Sequence, residues 1–292
     1  MSIRLVFVIL LTLVLFLGGF ILIFKVKGFL GTIEPKNISG STNWKQLGSI
    51  VVGRNGQGHR LDQLHYPVGI YIDNNEQTIY VSDAYNHRII AWKSDMTSGQ
   101  VTAGGNGEGQ RIDQLNHPTN IVFDQTNNSL VICDSGNERV MRWFQGETNG
   151  ITVAGGNGNG TNLNQFSDPS FIFVDKDYSI YVSDFQNHRV MKWLKGAKEG
   201  IVVAGGNGQG NRLNQLSHPQ GLFIDHFGNV YVVDCWNHRI LRWLKDAHEG
   251  SIIVGKHNQL NYPVGIAFDR QGNLYVVNQK SNQVLKFDVD IY

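Results

Sequence analysis

The sequence predicts an all-β fold: a five-bladed β-propeller closed by an N-terminal strand and preceded by one transmembrane helix. Three observations carry this. The stretch Tyr231 to Trp243, Tyr-Val-Val-Asp-Cys-Trp-Asn-His-Arg-Ile-Leu-Arg-Trp, recurs at Tyr181 to Trp193, Val131 to Trp143 and Tyr80 to Trp92, with a worn copy at Tyr275 to Phe287. The turn asparagines Asn86, Asn137, Asn187 and Asn237 fall 51, 50 and 50 residues apart, and the last copy follows after 44. A fixed period of this size marks an array of supersecondary units. Finally, Leu5 to Phe24 is twenty residues without a charge.

Taken in order, residues 1–4 form a short N-terminus and residues 5–24 the uncharged run. As a helix rising 1.5 Å per residue, that run spans about 30 Å, the thickness of a bilayer's hydrocarbon core. A cleavable signal has a shorter apolar region and a small-residue cleavage site. Here Lys25 and Lys27 follow directly, so a retained signal anchor is expected. Arg4 before the run and the two lysines after it nearly cancel as an orientation signal. A short N-terminus on the cytoplasmic side places the remainder outside the cell or in a lumen. The sequons at Asn37, Asn127 and Asn159 agree with that side, although asparagine is common enough here to produce some by chance. Residues 25–46 lack periodicity and read as a stalk.

Residues 47–292 hold the repeats. Each unit begins after a proline: Pro67, Pro118, Pro169, Pro219 and Pro263. A short apolar strand ending in Asp follows, as in Gly221 to Asp225, then a turn and the Tyr-Val-x-Asp strand. The Asn-His-Arg turn leads into a Trp-terminated third strand. A fourth, such as Gly200 to Ala204, ends in a glycine-rich loop. Four strands in about fifty residues make a propeller blade. The blades are expected at about 67–104, 118–155, 169–205, 219–255 and 263–288. The last lacks its fourth strand, while Ser49-Ile50-Val51-Val52 stands alone ahead of the first blade. Residues 48–53 are therefore expected to complete the fifth blade and remove an exposed edge.

Bulk composition narrows the function classes. The chain has 292 residues, 41% apolar and 17% charged, with net charge +1. Near-zero charge gives no electrostatic footprint for nucleic acid. Two cysteines cannot build a disulfide framework, so Cys133 and Cys235 are expected as free thiols. There is no Ser-His-Asp elbow, no Cys-x-x-Cys and no His-Glu-x-x-His.

The repeat resembles the NHL family of β-propellers. Its Asp-x-x-Asn-His-Arg-Ile/Val signature stands at Asp83 to Ile89, Asp184 to Val190 and Asp234 to Ile240. The second copy departs at Glu138, and the fifth at Asn278, Ser281, Asn282 and Gln283. The resemblance covers residues 47 to 288. It implies the fold, in a family usually six-bladed, and says little about activity.

Within the repeats, Asp83, Asp134, Asp184 and Asp234 each precede an arginine by five residues: Arg88, Arg139, Arg189 and Arg239. The fifth copy loses both partners together. Joint loss points to structural ion pairs rather than a ligand-binding ring, because a lone buried charge is costly. The loops Gly53 to Gly58, Gly104 to Gly109, Gly155 to Gly160 and Gly205 to Gly210 precede no helix, so they read as repeated turns and not phosphate cradles. Trp92, Trp143, Trp193, Trp243 and Phe287 read as interblade core.

Alternating strands put the Asn-His-Arg turns and the glycine loops on one face. His87, Glu138, His188 and His238 are expected to ring it, with pre-proline residues Tyr66, His117, Asp168, His218 and Tyr262 nearer the axis. This is the candidate ligand-binding face of a membrane-anchored, non-enzymatic module for a protein, peptide or glycan. No cofactor or metal is called for. The alternative metal ligands are His117 and His218, with Asp168 beside them. Some propellers similar to the family are zinc-dependent lyases of hydroxyglycine-type peptide ends, a site for which His117, His218, Tyr66 and Tyr262 are the candidates. Others bind RNA, which the charge and the export signal argue against.

Overall fold

The computed structural model describes residues 51–73, 77–93, 96–255, 259–269 and 272–289. The expected transmembrane helix at 5–24 and the stalk at 25–46 lie outside them. No helix among the described residues is long and apolar enough to cross a membrane.

Five antiparallel sheets follow one another in chain order. The first contains β1 (Pro67–Asp73), β2 (Thr78–Asp83), β3 (Arg88–Lys93) and β4 (Gln100–Gly104). The second contains β5 (Pro118–Asp124), β6 (Ser129–Asp134), β7 (Arg139–Phe144) and β8 (Ile151–Gly155). The third contains β9 (Pro169–Val174), β10 (Ile180–Asp184), β11 (Arg189–Trp193) and β12 (Ile201–Gly205). The fourth contains β13 (Pro219–Ile224), β14 (Val230–Asp234), β15 (Arg239–Trp243) and β16 (Ser251–Val254). The fifth has three strands, β17 (Pro263–Phe268), β18 (Leu274–Asn278) and β19 (Gln283–Phe287). Each is a meander, and the first strands of successive blades pack against one another around an axis.

The cores lie between blades, which is why the strands are apolar on both faces. Tyr80, Ile89 and Ala103 of the first blade meet Ile121, Phe123, Ile132, Met141 and Trp143 of the second. The same arrangement joins the second to the third and the third to the fourth. Trp92, Trp143, Trp193 and Trp243 are all buried in it. At the axis the backbones come close. A Cβ added to Gly69 would stand 2.5 Å from the Thr119 carbonyl oxygen, so only glycine fits there.

The strand expected at 48–53 falls only partly within the described residues. Residues 48–50 lie outside the described residues, and Val51 and Val52 join no sheet. Residues 51–66 instead repeat the end of a fourth strand and its return loop. Val52 and Leu64 pack on Val81, Ile90 and Trp92, as Ala103 and Leu115 pack on the second blade. Gln57 bridges Leu64 as Glu108 bridges Leu115. Among the described residues this strand end meets the first blade's face and forms no ladder to β19.

Two faces are open among the described residues. Ile70 is 60% exposed, whereas its repeat equivalent Ile121 is 2% exposed beneath the preceding blade. Val284 of the fifth blade is 64% exposed, and its equivalent Ile240 is fully buried. β1 and β17 do not pack together as the first strands of neighbouring blades do.

Candidate functional site: the loop face

The loop face is built on one turn used five times. The second strand of each blade ends in Asp, or Asn278 in the fifth, and the chain turns at once. Short 3-10 turns at Ala84–Asn86, Ser135–Asn137, Cys235–Asn237 and Gln279–Ser281 end in left-handed residues, His87, Glu138, His238 and Asn282. His188 occupies the same conformation. The pre-proline residues Tyr66, His117, Asp168, His218 and Tyr262 also have positive φ, between 45° and 55°. Such backbone is unfavourable for these side chains, so compensating contacts are required.

Those contacts come from the neighbouring blade. Nδ1 of His87 accepts the backbone N–H of His117 at 3.3 Å. Nδ1 of His188 accepts that of His218 at 3.2 Å, and Nδ1 of His238 that of Tyr262 at 3.1 Å. In the second blade the Glu138 carboxylate takes the role, accepting the Asp168 N–H at 2.7 Å. Each turn residue thus clasps the next blade's pre-proline residue. Ring packing adds to it: His87 on His117 and His188 on His218 at 4.7 and 4.6 Å between centroids. Accepting at Nδ1 requires a neutral ring. Burial lowers the pKa of His87 and His218, helped in each by the facing histidine, and burial lowers that of His188.

Beneath the turns lies the ion pair. Arg88 Nε stands 2.7 Å from Asp83 Oδ2, and the pairs Asp134–Arg139, Asp184–Arg189 and Asp234–Arg239 stand 2.6, 2.7 and 2.7 Å apart, all buried. The guanidinium also caps the preceding return loop. Arg88 donates to the carbonyls of His59, Arg60 and Gln63. The other Asp83 oxygen accepts the His65 N–H. Every polar atom of the pair has work inside the blade, leaving nothing for a ligand. The joint loss in the fifth copy now has a cause. The return loop from Gly255 to Tyr262 is shorter than the others, and Asn278 Oδ1 still accepts the one N–H that remains, from Asn261.

The glycine loops are internal turns. Gln63, Gln114, Gln165 and Gln215 each donate back into their own loop. A Cβ on Gly58 would collide with the Gln63 amide, as would one on Gly109 with Gln114.

The alternative metal ligands make other contacts. His117 Nδ1 faces Asn116 Oδ1 at 2.6 Å. His218 stacks on Trp236 with centroids 3.6 Å apart. His117 and His218 belong to separate interblade clasps. Among the described residues no three His, Cys, Asp or Glu side chains form a metal-holding group.

The reading by motif missed the aromatic side chains two residues before His87 and His238. Tyr85 is 49% exposed and contacts His65, Tyr66 and His117. Trp236 is 49% exposed over His218, which Phe185 flanks from the other side. Tyr66 is 69% exposed. The signal was present: this position is Tyr85, Gly136, Gln186, Trp236 and Lys280, a different residue in every copy. At the opposite end of the axis a cleft of about 1310 Å³ is walled by Phe173, Phe223, Tyr231 and Phe268, with Asp175 and Lys192 at its edge.

The five repeated blades and their shared turn define a β-propeller. A family profile described as NHL repeat matches residues 64–92, across the first of them. No curated protein matches the sequence. Among solved structures, a chain of a nidogen/laminin complex is similar at 18% identity and TM-score 0.58, over 76% of this chain and 75% of that one. XC5397 of Xanthomonas campestris, described as a gluconolactonase, is similar at 18% identity and TM-score 0.58, over 79% and 78%. A streptogramin B lyase is similar at 11% identity and TM-score 0.50, over 77% and 69%. At these identities the likeness is one of fold.

Proposed function

We propose that this chain is a membrane-anchored, non-enzymatic recognition module whose loop face binds a protein or peptide. The observation that carries the reading is the exposure of Tyr66, Tyr85 and Trp236 on a rigid surface whose histidines and acids are committed to holding blades together. Exposed aromatic side chains on fixed backbone give large contact area at low entropic cost, and such residues dominate binding energy at protein interfaces. The imidazoles and the Asp168 and Glu138 carboxylates supply a polar rim around them. Leu5–Phe24 supports the anchor by length and lack of charge, with the propeller on the extracellular or lumenal side.

The test is site-specific photocrosslinking of the full-length chain in cells. A photoreactive residue at Tyr85 or Trp236 is expected to capture a discrete protein species that one at Asn127, on the opposite end, does not. Identical capture from both ends, or none from Tyr85 and Trp236, rejects the assignment.

A further inference from the structure

We propose that the edge of the propeller opposite the loop face rests on the bilayer that holds the anchor, through an apolar rim repeated from blade to blade. This rests on the membrane anchoring proposed above and adds a second surface to it.

The direction of the chain comes first. Fourth strands run toward the loop face, as β4 does from Gln100 to Gly104. Val51 and Val52 occupy the end of such a strand against the first blade, and Gly53 turns with positive φ beside Leu64 as Gly104 does beside Leu115. The strand direction, extended back from Val51, leads to the far edge. Residues 25–46 and the apolar run 5–24 lie on that side in sequence, so the anchor turns the far edge toward the membrane and the loop face away from it.

That edge carries the matching chemistry. The turns between third and fourth strands present Phe144 and Ile151 in the second blade, Leu194 and Ile201 in the third, and Leu244 in the fourth, between 41% and 54% exposed. The return loop of the preceding blade dips to the same corner: the Ile112 carbonyl accepts the Gly150 N–H, and exposed Ile112 joins the rim beside Ile151. Phe144, Leu194 and Leu244 each follow a buried Trp, and Ile151 and Ile201 each follow a buried Gly, yet all five stay outside the core. A band of this kind in water costs free energy that immersion to a depth of about 5–10 Å in the headgroup and acyl boundary removes. These turns carry no positive excess, with Lys195, Lys198 and Lys245 against Glu147, Glu199, Asp246 and Glu249. Apolar contact, not attraction to anionic lipid, is thus the source of the docking, and it is expected to survive high salt.

The buried native thiols make a clean labelling experiment possible, since burial pushes Cys133 up to about 12 and Cys235 up to about 11. Full-length chain with Leu194→Cys, Leu244→Cys or Gln186→Cys is labelled with a polarity-sensitive fluorophore and reconstituted into phosphatidylcholine vesicles. The first two probes are expected to shift to the blue and to lose intensity to lipids brominated near the headgroup, while the Gln186 probe on the loop face does neither. Equal behaviour at all three positions overturns the proposal. So does a blue shift at Leu194 and Leu244 without lipid quenching, which would signify a protein covering the rim. An alkaline wash separates the two readings. A chain that washes off the vesicles removes anchor and docking together. A chain that resists the wash but leaves both rim probes in water removes the docking alone.

Discussion

His188 Nδ1 accepts the backbone N–H of His218 at 3.2 Å, and that one bond joins the third blade to the fourth at the loop face. The His-x-pre-proline clasp recurs between the first and second blades and between the fourth and fifth. It makes the signature histidine a fastener between blades, while the signature Asp and Arg fasten within one.

Acid should loosen these clasps. The pKa values of His87, His188 and His218 are lowered in the fold from their usual value near 6.5. The unfolded chain therefore binds more protons below about pH 6.5. The stability contributed is complete above that value and is lost as pH falls through the folded-state values. Urea midpoints measured from pH 7.5 to 5.0 should fall across this window. The variant His188→Glu, which copies Glu138, should fall less between pH 6.5 and 5.5. An unchanged slope would show that the clasps do not titrate.

The ion pair should show strong non-additivity. Asp234→Asn leaves Arg239 buried without its counter-charge and is expected to cost about 3–5 kcal/mol. Asp234→Asn with Arg239→Gln reproduces the fifth blade's Asn278 and Gln283. The double variant should be less destabilised than the sum of the two single changes. Chemical denaturation of all three closes the cycle, and simple additivity would mean the pair is not a unit.

The exposed aromatic residues should matter to binding and not to folding. Tyr85→Ser and Trp236→Ser are each expected to weaken a partner captured at the loop face by about 2 kcal/mol, roughly thirty-fold in Kd. Thermal unfolding should move little, because both side chains are half exposed. A large loss of stability with unchanged affinity would return these residues to a packing role.

The two cysteines should be silent. Cys133 is fully buried with its thiol against the Pro169 carbonyl, and burial raises both thiols far above neutral. Native protein at pH 8 should resist a maleimide that modifies both residues after unfolding. Rapid labelling of the native state would reveal opening of the interface between the second and third blades.

The period of fifty residues, the Trp-terminated strands and the joint loss of Asp and Arg were enough to predict the blades, their order and the internal pairing. Each is a nearest-neighbour property, and a repeated unit writes its neighbour contacts into its own sequence. What the return loops do for the arginine was not legible, because Arg88 reaches carbonyls of His59 and Arg60, twenty-eight or more residues earlier in the chain. The motif likewise drew the eye to His87 and His238, while Tyr85 and Trp236 are exposed only because the neighbouring histidines are folded inward. The position of Val52 is the plainest case. Its sequence fits a closing fourth strand, but the packing of Val81, Ile90 and Trp92 decided which blade it touches. Alternation and period specify what pairs with the next unit along the chain. Only the summed geometry of the interfaces between successive blades decides where the first and last units stand, and no single repeat encodes that sum.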